Sequence, residues 1–129
     1  MLARSILSNS LALGLLGACT SEEPAPTFTE IYAEVLFPSC GFSSCHAGSA
    51  GAPFLETEES AFSSLVGAES NNVSGAILVI SGDPDNSYLI QKLEDDPGIT
   101  GNPMPPSSPL PEEKIEAVRE WILAGALRD

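Results

Sequence analysis

The chain has 129 residues, and its 18 acidic and 5 basic side chains give a formal net charge of −13. This length predicts one domain, and the 43% of hydrophobic residues can form a core. The negative charge excludes nucleic acid as an expected partner, because such a chain repels phosphate, and it argues against electrostatic binding to anionic lipid. It favours a protein partner with a basic surface.

Residues 1–18 have the features of a secretion signal. Arg4 supplies the positive charge, and the apolar stretch from Ile6 to Leu16 is too short to cross ~30 Å of hydrocarbon. The segment Leu16-Gly17-Ala18-Cys19 resembles a bacterial lipobox, in which cleavage leaves Cys19 as a lipidated N-terminus. An ordinary signal peptide followed by an incidental cysteine is the alternative.

A lipid on Cys19 would anchor the protein to a membrane. Residues 19–26 are polar and contain prolines, which suits a flexible tether, and residues 27–129 form the domain that the tether holds. We therefore expect an extracytoplasmic protein anchored to a bacterial membrane and facing the periplasm or the cell surface. Thr20 is not an acidic inner-membrane retention signal, which weakly favours the outer membrane.

Apolar spacing and helix-end signals predict two helices in the first half of the domain. Thr27 and Glu30 form a capping box before an amphipathic helix that we expect to end before Pro38. A second helix is expected from Glu58 to Val66, because Thr57 can cap it.

Two more helices are predicted in the second half. Asp83-Pro84 can open the third helix, and Pro111 precedes the last one, which carries Trp121 on its apolar face. Asp95 to Pro109 reads as a proline-rich loop between them. The apolar run Ile77 to Ile80 is either a strand or extended coil, since a lone strand has no evident partner. The pattern predicts an all-α domain of short helices and long loops.

Two thiols and an imidazole fall within the segment Cys40-Gly41-Phe42-Ser43-Ser44-Cys45-His46. A cysteine pair followed directly by histidine is typical of covalent haem attachment, in which each thiol adds to a haem vinyl group and the histidine binds the iron. The usual spacing has two residues between the cysteines, whereas this chain has four. Gly41, Ser43 and Ser44 are small enough for the extra length to bulge outward.

These side chains allow two other interpretations. An exported cysteine pair also forms disulfides, which predicts a Cys40–Cys45 bond in a haem-free protein. A zinc site is disfavoured, because structural zinc takes four protein ligands and, with Cys19 used for the lipid, the chain has no fourth Cys or His to add to Cys40, Cys45 and His46.

Met104 is the only methionine after Met1, and it lies in the loop Gly101-Asn102-Pro103-Met104-Pro105-Pro106. Methionine is useful in a core because it is flexible, and the surrounding prolines remove that flexibility. A rigid loop instead suits a thioether that must stay near a metal. A methionine that simply packs beneath the loop is the alternative.

These segments together resemble the class I c-type cytochromes, in particular the small monohaem domains of bacterial lipoproteins. The resemblance implies a small cytochrome c-like domain whose short helices and long loops wrap around one haem, with the N- and C-terminal helices packed together. The spacing of the cysteines is a variant of the family's pattern. The matching segments are Cys40 to His46, Gly82 to Asp85 with Ser87 to Leu89, Met104-Pro105, and Trp121 to Ala126.

The resemblance also implies the cofactor and its ligands. One haem c would be covalently bound through thioether bonds to Cys40 and Cys45, with His46 as the proximal iron ligand and Met104 as the distal one. Ligation by both side chains leaves no open position on the iron, so electron transfer to a redox partner with a basic surface is expected rather than catalysis. We expect the haem pocket to be lined by Phe37, Phe42, Phe54, Ile80 or Leu89.

Two further functions are weighed against electron transfer. A haem-free lipoprotein with the disulfide would act as an interaction module. A haem sensor or peroxidase-like enzyme would need Met104 to leave the iron, and peroxide chemistry generally needs a distal acid or base, for which the chain has no second histidine.

Overall fold

The computed structural model describes residues 23–42, 44–48 and 51–129. The predicted signal peptide, the lipidation site Cys19 and the start of the tether up to residue 22 lie outside the described residues. Within these described ranges, no helix has both the length and the apolar composition needed to span a bilayer.

The described part of the chain is all-α, as the sequence predicts, and isolated bridges are its only β-type pairing. Its helical segments are short and are joined by long loops. They are α1 (Phe28–Ile31), a π-helical turn (Tyr32–Leu36), α2 (Phe37–Cys40), α3 (Glu58–Leu65), α4 (Tyr88–Leu93) and α5 (Glu112–Leu123).

The predicted capping box at the start of α1 is confirmed. The Thr27 hydroxyl accepts the Glu30 N–H at 3.3 Å, and the Glu30 carboxylate accepts the Thr27 N–H at 2.8 Å. These two bonds satisfy N–H groups that the first helical turn would otherwise leave without a partner. The hydrogen bonds that the Glu30 carboxylate accepts from the N–H and the hydroxyl of Thr27 hold the pKa of this carboxyl below its usual value.

The predicted helix end before Pro38 is wrong. The π-helical turn and α2 continue α1 without a break, so that one N-terminal helix runs from Phe28 to Cys40. The Phe37 N–H donates to the Tyr32 carbonyl, five residues back in the chain. This turn is wider than an α-helical turn and leaves room for the ring of Pro38. Pro38 then lies in the first turn of α2, where a missing N–H costs little.

Helix α3 begins at its predicted cap, Thr57, and ends one residue earlier than predicted because Val66 is extended. The run Ile77 to Ile80 is not a strand. Val79 forms an isolated parallel bridge with Val66, and Ile77 forms an antiparallel one with Glu69. The chain that leaves α3 is therefore the partner of this run, and it makes only single bridges with it.

Helix α4 begins at Tyr88, so the predicted opening at Asp83-Pro84 is wrong. The Asp83 carboxylate accepts the main-chain N–H of Asn86 at 3.2 Å and its side-chain amide at 2.8 Å, which closes a turn ahead of the helix. Ser87, which is fully buried, accepts the Ile80 N–H and donates to the Asp83 carbonyl, both at 2.8 Å. The proline-rich segment 95–109 is a loop, as predicted.

The N-terminal helix packs against α5, as expected. The rings of Phe28 and Trp121 lie 5.1 Å apart, and the Trp121 indole N–H donates to the Leu127 carbonyl at 2.9 Å. On α5, Val118 and Ile122 are completely buried. Burial of each large apolar side chain contributes roughly 1.5–3 kcal/mol, so this contact holds the two ends of the domain together. The end of the N-terminal helix, α3 and α4 border the cavity described next.

Candidate functional site

A cavity of about 270 Å³ with mainly apolar walls lies beside the predicted haem-attachment segment. Cys40, His46 and Met104 all contribute to its lining, although Met104 is far along the chain from the other two. The fold thus brings three of the four predicted haem-binding side chains to one place. Other parts of the wall come from Leu36, Phe54, Leu65, Leu78, Leu89 and Leu93.

The N-terminal helix ends at the first of the paired cysteines, and the following turn places the histidine. The His46 N–H donates to the Cys40 carbonyl at 3.2 Å, and the Cys45 N–H donates to the Phe42 carbonyl at 2.9 Å. These bonds bring Cys40 and His46 together despite the five intervening residues. Ser43, within the turn, lies outside the described residues.

Gly41 is buried and does not bulge outward, contrary to expectation. A Cβ atom at this position would lie 2.9 Å from the Leu55 carbonyl oxygen and 3.0 Å from that of Phe37. Both contacts are with main-chain atoms that cannot move aside cheaply, so residue 41 must lack a side chain. Phe42, Ser44 and Cys45 are exposed in this turn.

The ring of His46 is held by a main-chain carbonyl. Nδ1 lies 3.0 Å from the Pro53 carbonyl oxygen, which can only accept, so Nδ1 carries the hydrogen of the neutral ring. This tautomer leaves the lone pair of Nε2 available to a metal. Histidines that bind metals commonly donate their other ring N–H to a carbonyl or carboxylate, which fixes the orientation of the ring.

The two cysteines of the segment differ in their surroundings. Cys40 is buried and lines the cavity, and burial, together with the charge of Cys45, raises the pKa of its thiol to about 11. Cys45 is exposed and is not among the cavity-lining residues. Both are free thiols in the structure. Cys45 is therefore the one predicted haem-binding residue of the described chain that the fold does not place on the cavity wall.

Met104 is half-buried, and its loop is fixed to α4. Its N–H donates to the Lys92 carbonyl at 2.8 Å. The Lys92 ammonium donates to the carbonyl of Thr100 at 2.9 Å and to that of Asn102, while the Thr100 N–H donates to the Tyr88 hydroxyl at 3.0 Å. Sequence reasoning missed Tyr88 and Lys92 as part of the site, although their spacing of four residues placed them on one face of a helix.

The predicted apolar lining of the haem pocket is only partly present. Phe54 and Leu89 line the cavity, whereas Phe37 and Phe42 are 48% and 54% exposed. Phe37 packs beside Tyr32 instead, with ring centroids 5.7 Å apart. Ile80 is half-buried and is not among the lining residues.

In the described ranges, no three His, Cys, Asp or Glu side chains cluster as they would around a bare metal ion. The cavity instead offers one imidazole, one thioether and one thiol, with a second thiol nearby. Its volume of about 270 Å³ lies just below the lower limit of ~300 Å³ for ligand pockets. Comparisons of this chain with protein families, with characterised proteins and with solved structures found no match.

Proposed function

We propose that this protein is a lipid-anchored monohaem c-type cytochrome that transfers electrons. The observation that carries the proposal is the shared cavity of Cys40, His46 and Met104. The residue types are those of covalent haem attachment and of the two axial ligands, and they come from distant parts of the chain. The contact between the first and last helices further supports a cytochrome c-like arrangement.

The described side chains fit haem c better than a bare metal ion. Cys40 and Cys45 would supply the thioether bonds, His46 would bind iron through Nε2, and Met104 would bind it through sulfur. Bound haem would supply a one-electron Fe(III)/Fe(II) couple. The chain's part is to fix these donors and exclude water, and its apolar walls disfavour the additional charge of the oxidised form.

Electron transfer is favoured over catalysis because the chain itself would supply both iron ligands, His46 and Met104. Pro53 orients His46, and the main chain of Lys92 holds Met104, so neither donor depends on a mobile segment to reach the cavity. The sequence has no second histidine to act as a distal acid or base. The protein would therefore be an electron carrier, or the electron-transfer subunit of a larger complex.

The charge of the surface favours a basic redox partner. Among the described ion pairs, Lys114 binds Glu34 at 3.4 Å, Arg119 binds Glu94 at 3.0 Å, and Arg128 binds Glu59 at 2.6 Å. These positive side chains are thus occupied by acidic neighbours, while many carboxylates stay exposed, including Glu112, Glu113, Glu116 and Glu120 on α5. A lipid on Cys19 would restrict the search for this partner to the vicinity of the membrane.

A disulfide between Cys40 and Cys45 is the second candidate state, and one observation favours it. The hydrogen bonds from the His46 N–H to the Cys40 carbonyl and from the Cys45 N–H to the Phe42 carbonyl keep both cysteines in one short turn. In an oxidising compartment such a pair can be oxidised before any haem is attached. The protein would then be a haem-free lipoprotein that serves as an interaction module.

Acid-solvent extraction separates the two proposals. The full chain is produced with bacterial cytochrome maturation machinery, denatured and extracted with acidified organic solvent. Haem that stays with the polypeptide is the expected result. A colourless chain that is two protons lighter than the dithiol would establish the disulfide. Met104→Ala should retain the haem but lose the absorption band of thioether-bound ferric iron, and an unchanged band would remove Met104 from the iron.

A further inference from the structure

We propose that Lys92 is a positioning residue that holds Met104 at the cavity, an inference that rests on the proposed function only for the role of Met104 as a ligand. Lys92 binds the methionine loop through two different groups. Its ammonium donates to the carbonyls of Thr100 and Asn102, and its own carbonyl accepts the Met104 N–H at 2.8 Å. Side chain and main chain thus hold successive parts of one short segment.

Tyr88 adds a contact one helical turn earlier. Its hydroxyl accepts the Thr100 N–H at 3.0 Å. Residues four apart share a face of an α-helix, so Tyr88 and Lys92 present one surface of α4 to the loop. We call Tyr88 and Lys92 the loop clamp. The clamp gives hydrogen-bond partners to main-chain groups of the proline-rich segment. This segment cannot form a regular helix or strand, because its prolines have no N–H to donate.

Gly101 shapes the loop for this contact. It has φ of +74°, a left-handed conformation that favours glycine, and it lies between the two carbonyls that accept from the Lys92 ammonium. A Cβ atom at Gly101 would lie 4.0 Å from Nζ of Lys92. The turn thus brings the carbonyls of Thr100 and Asn102 to one ammonium group.

The partners of Lys92 differ from those of other described basic side chains. Lys114, Arg119 and Arg128 pair with carboxylates on the surface. The Lys92 ammonium instead binds main-chain carbonyls, and the residue lines the cavity together with Met104. A positive donor forms stronger hydrogen bonds to carbonyls than a neutral one does, which suits a residue that must keep a loop closed.

The clamp should therefore make Met104 harder to displace. An external ligand for the iron would have to displace the thioether, and a loop that is no longer held to α4 would let the thioether move away more readily. With Lys92→Met the aliphatic stem is kept and the two charged hydrogen bonds are lost. Lys92→Arg keeps a positive donor, and Lys114→Met is the matched control because it removes a lysine from α5 and not from the cavity wall.

The first measurement is amide hydrogen exchange at Thr100 and Met104 in the purified full-length chain. Lys92→Met should speed exchange at both amides by about tenfold, while Lys92→Arg stays near the wild type and Lys114→Met has no effect there. This measurement does not depend on haem. Unchanged exchange in Lys92→Met would overturn the clamp even if the chain proves to be a cytochrome.

The second measurement is imidazole binding to the ferric haem protein, followed by the loss of the thioether–iron absorption band. Lys92→Met should bind imidazole about tenfold more tightly, and Lys92→Arg should restore resistance. Imidazole affinity equal to the wild type in Lys92→Met would contradict the positioning role. A chain that never acquires haem would instead overturn the proposed function, and the exchange data would still decide whether Lys92 holds the loop.

Discussion

Nδ1 of His46 donates a hydrogen bond to the carbonyl oxygen of Pro53, 3.0 Å away. A second hydrogen bond joins the segment around Pro53 to His46, since the Leu55 N–H donates to the His46 carbonyl at 2.7 Å. Pro53 and Leu55 also line the cavity. The protein chain therefore sets the orientation of the imidazole by itself, with the other ring nitrogen left to bind a metal.

This contact predicts the tautomer of His46. Before haem attachment, the neutral ring should carry its proton on Nδ1, because the Pro53 carbonyl cannot donate. Nitrogen-15 NMR of the labelled full-length chain, at a pH where the ring is neutral, should show a protonated Nδ1 and an unprotonated Nε2. The opposite assignment would contradict the proposed preparation of Nε2 for iron.

Substitution of Gly41 should disrupt the attachment turn. In Gly41→Ala the new methyl group would meet two main-chain oxygens at 2.9–3.0 Å, which should cost about 1–3 kcal/mol of unfolding free energy. Urea denaturation measures this loss. Ser44→Ala is the control in the same turn, where the side chain is exposed and the change should stay within about 0.5 kcal/mol. Equal unfolding free energies of Gly41→Ala and the wild type would mean that Leu55 does not pack on this turn.

The sequence predicts helix starts that depend on a capping side chain better than it predicts the path of the chain between helices. The helix starts after Thr27 and Thr57 are predictable because a capping side chain and its partner are only three residues apart. The passage of the helix through Pro38 depends on a π-helical turn, which leaves no comparable local signal. The start of the third helix is displaced to Tyr88 because a side-chain turn at Asp83 competes with helical bonding.

The site shows the same division. Cys40, His46 and Met104 were predicted together because their residue types are rare and chemically specific. Pro53 was missed, since any residue can offer a main-chain carbonyl and only the folded chain shows which one reaches the ring. Lys92 was missed because its partners are also main-chain carbonyls, and no residue type identifies which carbonyls a side chain will reach.

Ionisation of Cys40 should give the haem-free dithiol form a distinctive loss of stability at alkaline pH. Burial raises the pKa of this thiol from 9.0 to about 11, so between these values the unfolded chain releases a proton that the folded chain retains. The unfolded state then binds fewer protons, and the free energy of unfolding falls as pH rises, by at most about 1.4 kcal/mol per unit.

Urea denaturation across this pH range, under reducing conditions, tests the effect. Cys40→Ala should remove the larger part of the slope that the wild type shows between pH 9 and about 11, and the remainder should come from Tyr32, whose pKa is also raised by burial. Cys45→Ala should keep most of the slope, because burial is the larger cause of the Cys40 shift and the charge of Cys45 the smaller. A slope that is undiminished in Cys40→Ala would assign the effect to another group.

The acidic surface should control electron exchange with small charged reagents. With a net charge of −13, the chain attracts cations and repels anions. Stopped-flow rates with the cationic hexaammineruthenium complex should fall as salt rises, and those with anionic ferrocyanide should increase. Rates that do not change with ionic strength for either reagent would contradict the proposal of a partner with a basic surface.

The most direct test of the account is the mass of the peptide that contains both paired cysteines. Cleavage after glutamate releases residues 35–56, which include Cys40, Cys45 and His46 and contain no other acidic residue before Glu56. For protein matured in a cytochrome-producing host, mass spectrometry under denaturing conditions should show this peptide with one haem covalently attached through both sulfurs. The same peptide without haem, recovered as an intact disulfide or a dithiol, would contradict the account.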